Sequence, residues 1–269
     1  MTKSFALVAA LALATLAAAV PVHALDPWEA AADDSNTTKN TLSPGLVQQH
    51  DLDQAGGGND LDWAVVPTLQ YHSYEARISG SGVAFDYGIC TTCAQFERVD
   101  AAGTILTEDV ATVNDGAGAT PEAYDRSVRW LASGNTIQEF VRVTGSSSPE
   151  GTGSLYTLRY WDTTYTVPRW NASGGQSTVL IVTSLVQGAV TGNVYFFSGT
   201  GTLLHTQPLA LSQNVPYVFN TFSVGALAGQ SGFALVAHDA GYGGLTGKAV
   251  ALEPSTGFTF DTAMAPIPQ

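Results

Sequence analysis

Across 269 residues the chain carries only 12% charged side chains and a formal net charge of −13 at pH 7. That balance argues against nucleic acid or an anionic membrane surface as partner, since both demand clustered Lys and Arg. Low charge combined with abundant Gly, Thr, Ser and Val argues against a helical or disordered chain and for an extracellular β-protein.

Taken in order, the chain opens with Lys3 and an apolar run over residues 5–20 interrupted only by Thr15. Pro21 ends the run, and Val22-His23-Ala24 places small residues at a peptidase site. This reads as a secretory signal peptide over residues 1–24. The run falls short of the roughly 20 apolar residues of a spanning helix, and no second such stretch follows. The expectation is a secreted, periplasmic or cell-surface protein with no membrane span in the mature chain. Residues 25–40 lack apolar periodicity and read as a flexible leader.

Beyond Pro44-Gly45 short β-candidates begin. Residues 71–78 set His72, Tyr74, Ala76 and Ile78 on one face against Ser73, Glu75 and Arg77. Residues 82–87, 94–99, 104–106, 126–130 and 137–143 follow, separated by turn residues. Residues 154–164 put Tyr156, Leu158 and Tyr160 on one side, with Trp161 out of phase. Near Val167-Pro168-Arg169 the composition shifts, and a second strand set begins. Its first member, residues 178–186 (TVLIVTSLV), is nearly continuous in apolar residues, as in a strand buried on both faces. Residues 193–197, 201–205, 215–220, 233–238, 247–252 and 257–261 complete the set. Trp170, at the junction, is expected to pack between the two halves. No window outside the signal peptide carries a sustained 3.6-residue apolar repeat. The pattern describes an all-β chain of two β-sandwiches (jelly-roll or Ig-like) over residues 41–166 and 167–269, one long sandwich being the alternative.

Three features invite chemistry. The acidic, glycine-rich stretch from Asp51 to Asp62 places Asp53, Gly56, Asn59 and Asp62 at positions 3, 6, 9 and 12 counted from Asp51, with Asp60 adjacent. Hard cations take several oxygen ligands around such a turn, which makes calcium the candidate cofactor. Ala55 occupies a ligand position and Asp62 replaces the longer Glu, so the first reading is a solvated loop whose Asp and Asn residues cap their own backbone. Cys90-Thr91-Thr92-Cys93 lacks the His of a haem site, the further ligands of a zinc site and the helix start of a redox pair. In an oxidising compartment it reads as a local disulfide between Cys90 and Cys93. Among the aromatics, Trp161 and Tyr74 are the candidates for a sugar-stacking platform, although core packing is the ordinary role of such rings.

Catalytic patterns fail in detail. Gly229-Gln230-Ser231-Gly232 has Phe233 where a nucleophile elbow needs Gly, and His238-Asp239 ends a buried strand. Gly241-Tyr242-Gly243-Gly244-Leu245-Thr246-Gly247-Lys248 lacks the first Gly and the final Ser or Thr of a phosphate loop. No two carboxylates are placed by spacing for glycoside hydrolysis.

One resemblance adds to this. Asn59-Asp60-Leu61-Asp62-Trp63, then Tyr71 and Ser73-Tyr74-Glu75-Ala76, and late in the half Tyr156-Thr157-Leu158, resemble the bacterial pre-peptidase C-terminal domain. That resemblance implies a β-sandwich of the kind appended to secreted proteases and other exported enzymes. Pro67-Thr68-Leu69-Gln70 departs from it where the family has a Gly, and this chain holds no enzyme domain for the module to follow. The second half, through residues 191–196, 236–239 and 257–262, resembles uncharacterised C-terminal β-modules of exported bacterial proteins, which implies a fold class and no activity. The expectation is a non-catalytic binding or structural protein with cell-surface carbohydrate or protein as partner. The alternatives are an accessory module beside a secreted hydrolase and an enzyme of unrecognised type.

Overall fold

The structure is a computed structural model that describes residues 35–38, 40–51, 61–79, 95–108, 125–132, 134, 138–144 and 155–269. The strand expected over residues 82–87 lies outside these. Among the described residues all regular structure is β apart from two single 3-10 turns at Thr221–Ser223 and Gly225–Leu227. Among the described residues no helix is long and apolar enough to cross a membrane.

Among the described residues seventeen strands form four antiparallel sheets. In the N-terminal half, β1 (Val47–Asp51), β8 (Leu155–Asp162), β3 (Ser73–Ser79) and β6 (Asp125–Leu131) lie side by side in that order. Facing them are β2 (Leu61–Pro67), β7 (Gln138–Thr144), β4 (Gln95–Val99) and β5 (Ile105–Glu108). In the C-terminal half the third sheet runs β12 (Leu203–Leu211), β11 (Val190–Ser198), β14 (Ser231–His238), β9 (Tyr165–Asn171) and β17 (Ala265–Pro266). The fourth runs β13 (Tyr217–Asn220), β10 (Ser177–Ser184), β15 (Leu245–Glu253) and β16 (Phe258–Ala263). The hand-over from the first pair of sheets to the second occurs at Thr163 and Thr164, between β8 and β9.

Each pair of sheets closes on its own core because the side-chain period of two delivers one apolar row per strand. Ala64 and Val66 from β2, Phe96 from β4 and Val141 and Val143 from β7 meet Tyr74, Ala76, Ile78, Leu158 and Tyr160 from the facing sheet. Burying each aliphatic or phenyl group contributes about 1.5–3 kcal/mol relative to exposure. The second core gathers Val167, Trp170, Leu180, Val182, Val194, Phe196, Ala234 and Val236 from both C-terminal sheets.

Two sequence expectations are corrected here. Trp170 does not pack between the halves. It is fully within the C-terminal core, where its indole N–H donates to the Phe197 and Phe233 carbonyls at 3.1 and 2.9 Å. Nor is β10 buried on both faces. Leu180 and Val182 point into the core, whereas Val179, Ile181 and Thr183 are half-buried on the outer face of the sheet. An apolar run in an antiparallel sheet thus has one open face.

Charged groups are paired on both faces of the second sheet. Toward the core, Arg98 donates two hydrogen bonds of 2.9 Å to Glu139 and lies over the Trp130 ring. On the opposite face, Arg142 donates to Glu97 and lies over Trp63. A planar guanidinium suits both roles, since it forks onto a carboxylate while its face meets an aromatic ring.

The two halves are tied together by more than the linker. Thr163 N–H donates to the Ser73 carbonyl, and Ser73 N–H donates to Thr164 Oγ1. The Gln269 side-chain amide bonds both the N–H and the carbonyl of Asp162. Buried Glu75 on β3 accepts from Arg129 Nε at 2.9 Å and from the Tyr242 backbone N–H at 2.8 Å, so a carboxylate of one half holds a turn of the other. Tyr71, held at φ 70°, packs its ring on Tyr195 and Phe197.

Candidate functional site

Asp53, Asn59 and Asp60 of the acidic stretch lie outside the described residues, and Asp51 is the last residue of β1. Asp62 is buried on the inner face of β2, where the Tyr156 hydroxyl donates to its Oδ2. That bond places the Asp62 carboxylate between the sheets. Among the described residues no group of three or more His, Cys, Asp or Glu side chains converges as a metal site would. Cys90 and Cys93 lie outside the described residues as well.

The two aromatic candidates separate. Tyr74 is 2% exposed, stacked on Tyr160 at 5.5 Å between ring centroids, and its hydroxyl accepts the Leu69 N–H. Burial, reinforced by the Asp162 charge, pushes its hydroxyl well above the ordinary tyrosine range. Tyr74 is a core residue. Trp161 faces out from β8, half-buried, with its ring stacked on Tyr242 at 6.1 Å and 13°. Its partner is contributed by the C-terminal half, so the ring serves the contact between halves.

His238 and Asp239, adjacent in sequence, diverge in space. His238 is fully buried against Tyr165, while Asp239 accepts the Thr191 N–H and hydroxyl at 2.7 and 2.6 Å.

A concave surface lies elsewhere, at the open side of the C-terminal sandwich. It is a cleft of about 230 Å³ lined by Arg169, Asn171, Gln176, Glu253, Phe258 and Phe260, with Thr178, Ala249 and Ala251 as its floor. The β15–β16 register builds one wall. Ala249 faces Thr262, Ala251 faces Phe260 and Glu253 faces Phe258, so these residues share the inner face of the fourth sheet with the core residue Ala249. The covering sheet stops short of them. Its last strand, β17, pairs with β9 only at Thr166 and Tyr165. Phe258 and Phe260 are consequently 57% and 58% exposed on a face that elsewhere is core. The small side chains of Ala249 and Ala251 leave the floor open.

The opposite wall is polar and internally ordered. Asn171 N–H donates to Thr178 Oγ1, Asn171 Nδ2 donates to Gln176 Oε1 at 2.6 Å, and Asn171 Oδ1 accepts from both the N–H and the hydroxyl of Ser173. The chain from Tyr165 to Gln269 holds two cations, Arg169 and Lys248. Lys248 pairs with Asp261 at 2.8 Å, whereas Arg169 lines the cleft.

This site was missed by sequence reasoning. The signal was present in Phe258-Thr259-Phe260-Asp261, two rings two residues apart with polar residues between. Alternation says the rings share a face; it does not say that the covering sheet ends before reaching them. The chain matches no protein-family model and no curated protein.

Proposed function

We propose that the chain is an exported, non-catalytic binding protein whose C-terminal sandwich holds a saccharide unit in this cleft. The observation that carries the reading is the pairing of two half-exposed phenyl rings with a guanidinium and two amides across one small cavity. A pyranose ring has apolar faces that pack on aromatic carbon and a rim of hydroxyls that meets amide and guanidinium donors. The cavity is smaller than the roughly 300–1,000 Å³ of drug-sized sites, a size that suits one ring. Under this reading residues 41–166, with their likeness to the pre-peptidase C-terminal domain, act as the carrier through which the cleft is held near a surface or beside a secreted hydrolase.

The test is a glycan array followed by calorimetric titration of the strongest hits, with wild type and the F258A/F260A double variant. Wild type is expected to bind at least one glycan, and the double variant to bind it at least tenfold more weakly with an unchanged melting temperature. Absence of any glycan binding, or binding unaffected by loss of both rings, overturns the reading.

A further inference from the structure

We infer that the sugar held in the cleft is an acidic one, a uronate unit whose carboxylate is taken by Arg169; this rests on the saccharide reading above. The acceptors of the polar wall are largely engaged. Asn171 Oδ1 is taken by Ser173, and Gln176 Oε1 is taken by Asn171 Nδ2. Against one remaining lone pair on Gln176 Oε1, that wall offers the donors of the Gln176 Nε2 amide and of the Arg169 guanidinium with its five N–H groups. A donor-rich wall favours a ligand group that only accepts, and an ionised carboxylate is such a group. The guanidinium fork matches a carboxylate bidentately, a geometry that hydroxyls do not reproduce.

The charge distribution agrees. In a chain of net charge −13, Arg169 forms no ion pair among the described residues even though Glu253 lines the same cleft, where its Oε2 accepts from Thr256 Oγ1 at 2.8 Å. Glu253, lining the same cleft, sets orientation, since it repels a ligand carboxylate and accepts from a hydroxyl. The overall negative charge disfavours a long polyanion and, with the one-ring cavity, favours recognition of a single carboxylated unit.

The experiment titrates the full chain with dimers of galacturonate, glucuronate and mannuronate, each beside its methyl ester, which keeps the ring and removes the charge. At least one acid is expected to bind tenfold or more tightly than its ester, with R169A bringing acid and ester to a common affinity and F260A weakening both. R169A should melt with wild type, because the side chain is exposed. Acid and ester binding alike, or R169A weakening both alike, overturns the acidic assignment and leaves the saccharide reading standing. If neither acids, esters nor neutral glycans bind, both fall.

Discussion

His238 sits on the inner face of β14 with no exposure, its ring against Tyr165. Burial pushes its pKa down to about 4, against the opposing pull of the Thr163 backbone and the Asp239 carboxylate. The folded chain therefore refuses a proton that the unfolded chain accepts from about pH 6.5 downward. Stability is fully present above pH 6.5 and falls as pH drops toward 4, by on the order of 3 kcal/mol across that window from this group alone. Urea unfolding at pH 7.5 and pH 4.5 should show a smaller acid loss in H238F than in wild type. An equal loss in both would remove His238 as the source. Single residues also explain why the polar interior is tolerated: the Arg98–Glu139 pair meets the rule that buried charges must be paired and hydrogen-bonded.

At the scale of strands, the third sheet depends on close backbone approach at two glycines. A Cβ on Gly232 would fall 1.9 Å from the Phe197 carbonyl oxygen, and one on Gly192 would fall 2.1 Å from that of Ala237. Both contacts lie along the β11–β14 pairing, where backbone cannot retreat without breaking ladder hydrogen bonds. G232A and G192A are each expected to cost about 1–3 kcal/mol or more, the range of overpacked sites. G199A, in the β11–β12 turn with nothing within 4 Å of its Cβ, should stay within about 0.5 kcal/mol of wild type. Thermal unfolding of the three variants checks this; similar melting temperatures for all would mean that the sheet relaxes around the added methyl. The same sheet shows why β16 makes a site. A strand placed one position beyond its cover presents core-type residues to solvent.

Over the whole molecule, the contact between halves rests on Glu75, which joins Arg129 of its own sheet to the Tyr242 turn of the other half. Removing that carboxylate leaves Arg129 without its counter-charge and the Tyr242 N–H without its acceptor, both of which cost free energy. Calorimetry of wild type is expected to show one unfolding transition, and E75A to show two, the coupling between halves having been weakened. A single transition at the wild-type temperature in E75A would show that Glu75 does not couple them. Tyr71 on Tyr195 and Phe197, and the Trp161–Tyr242 stack, add apolar area to the same contact.

The amino-acid pattern by itself determined the all-β class and which residues share a face. Tyr74, Ala76 and Ile78 do enter one core, as do Tyr156, Leu158 and Tyr160, because strand geometry puts alternate side chains on one side whatever surrounds them. Only the tertiary structure decided which faces are covered and where the cover ends. It buried Tyr74, turned Asp62 toward Tyr156, opened the outer face of β10 and left Phe258 and Phe260 uncovered beside Arg169. Alternation is a local property of one strand, whereas burial depends on the reach of a facing sheet whose strands come from distant parts of the chain.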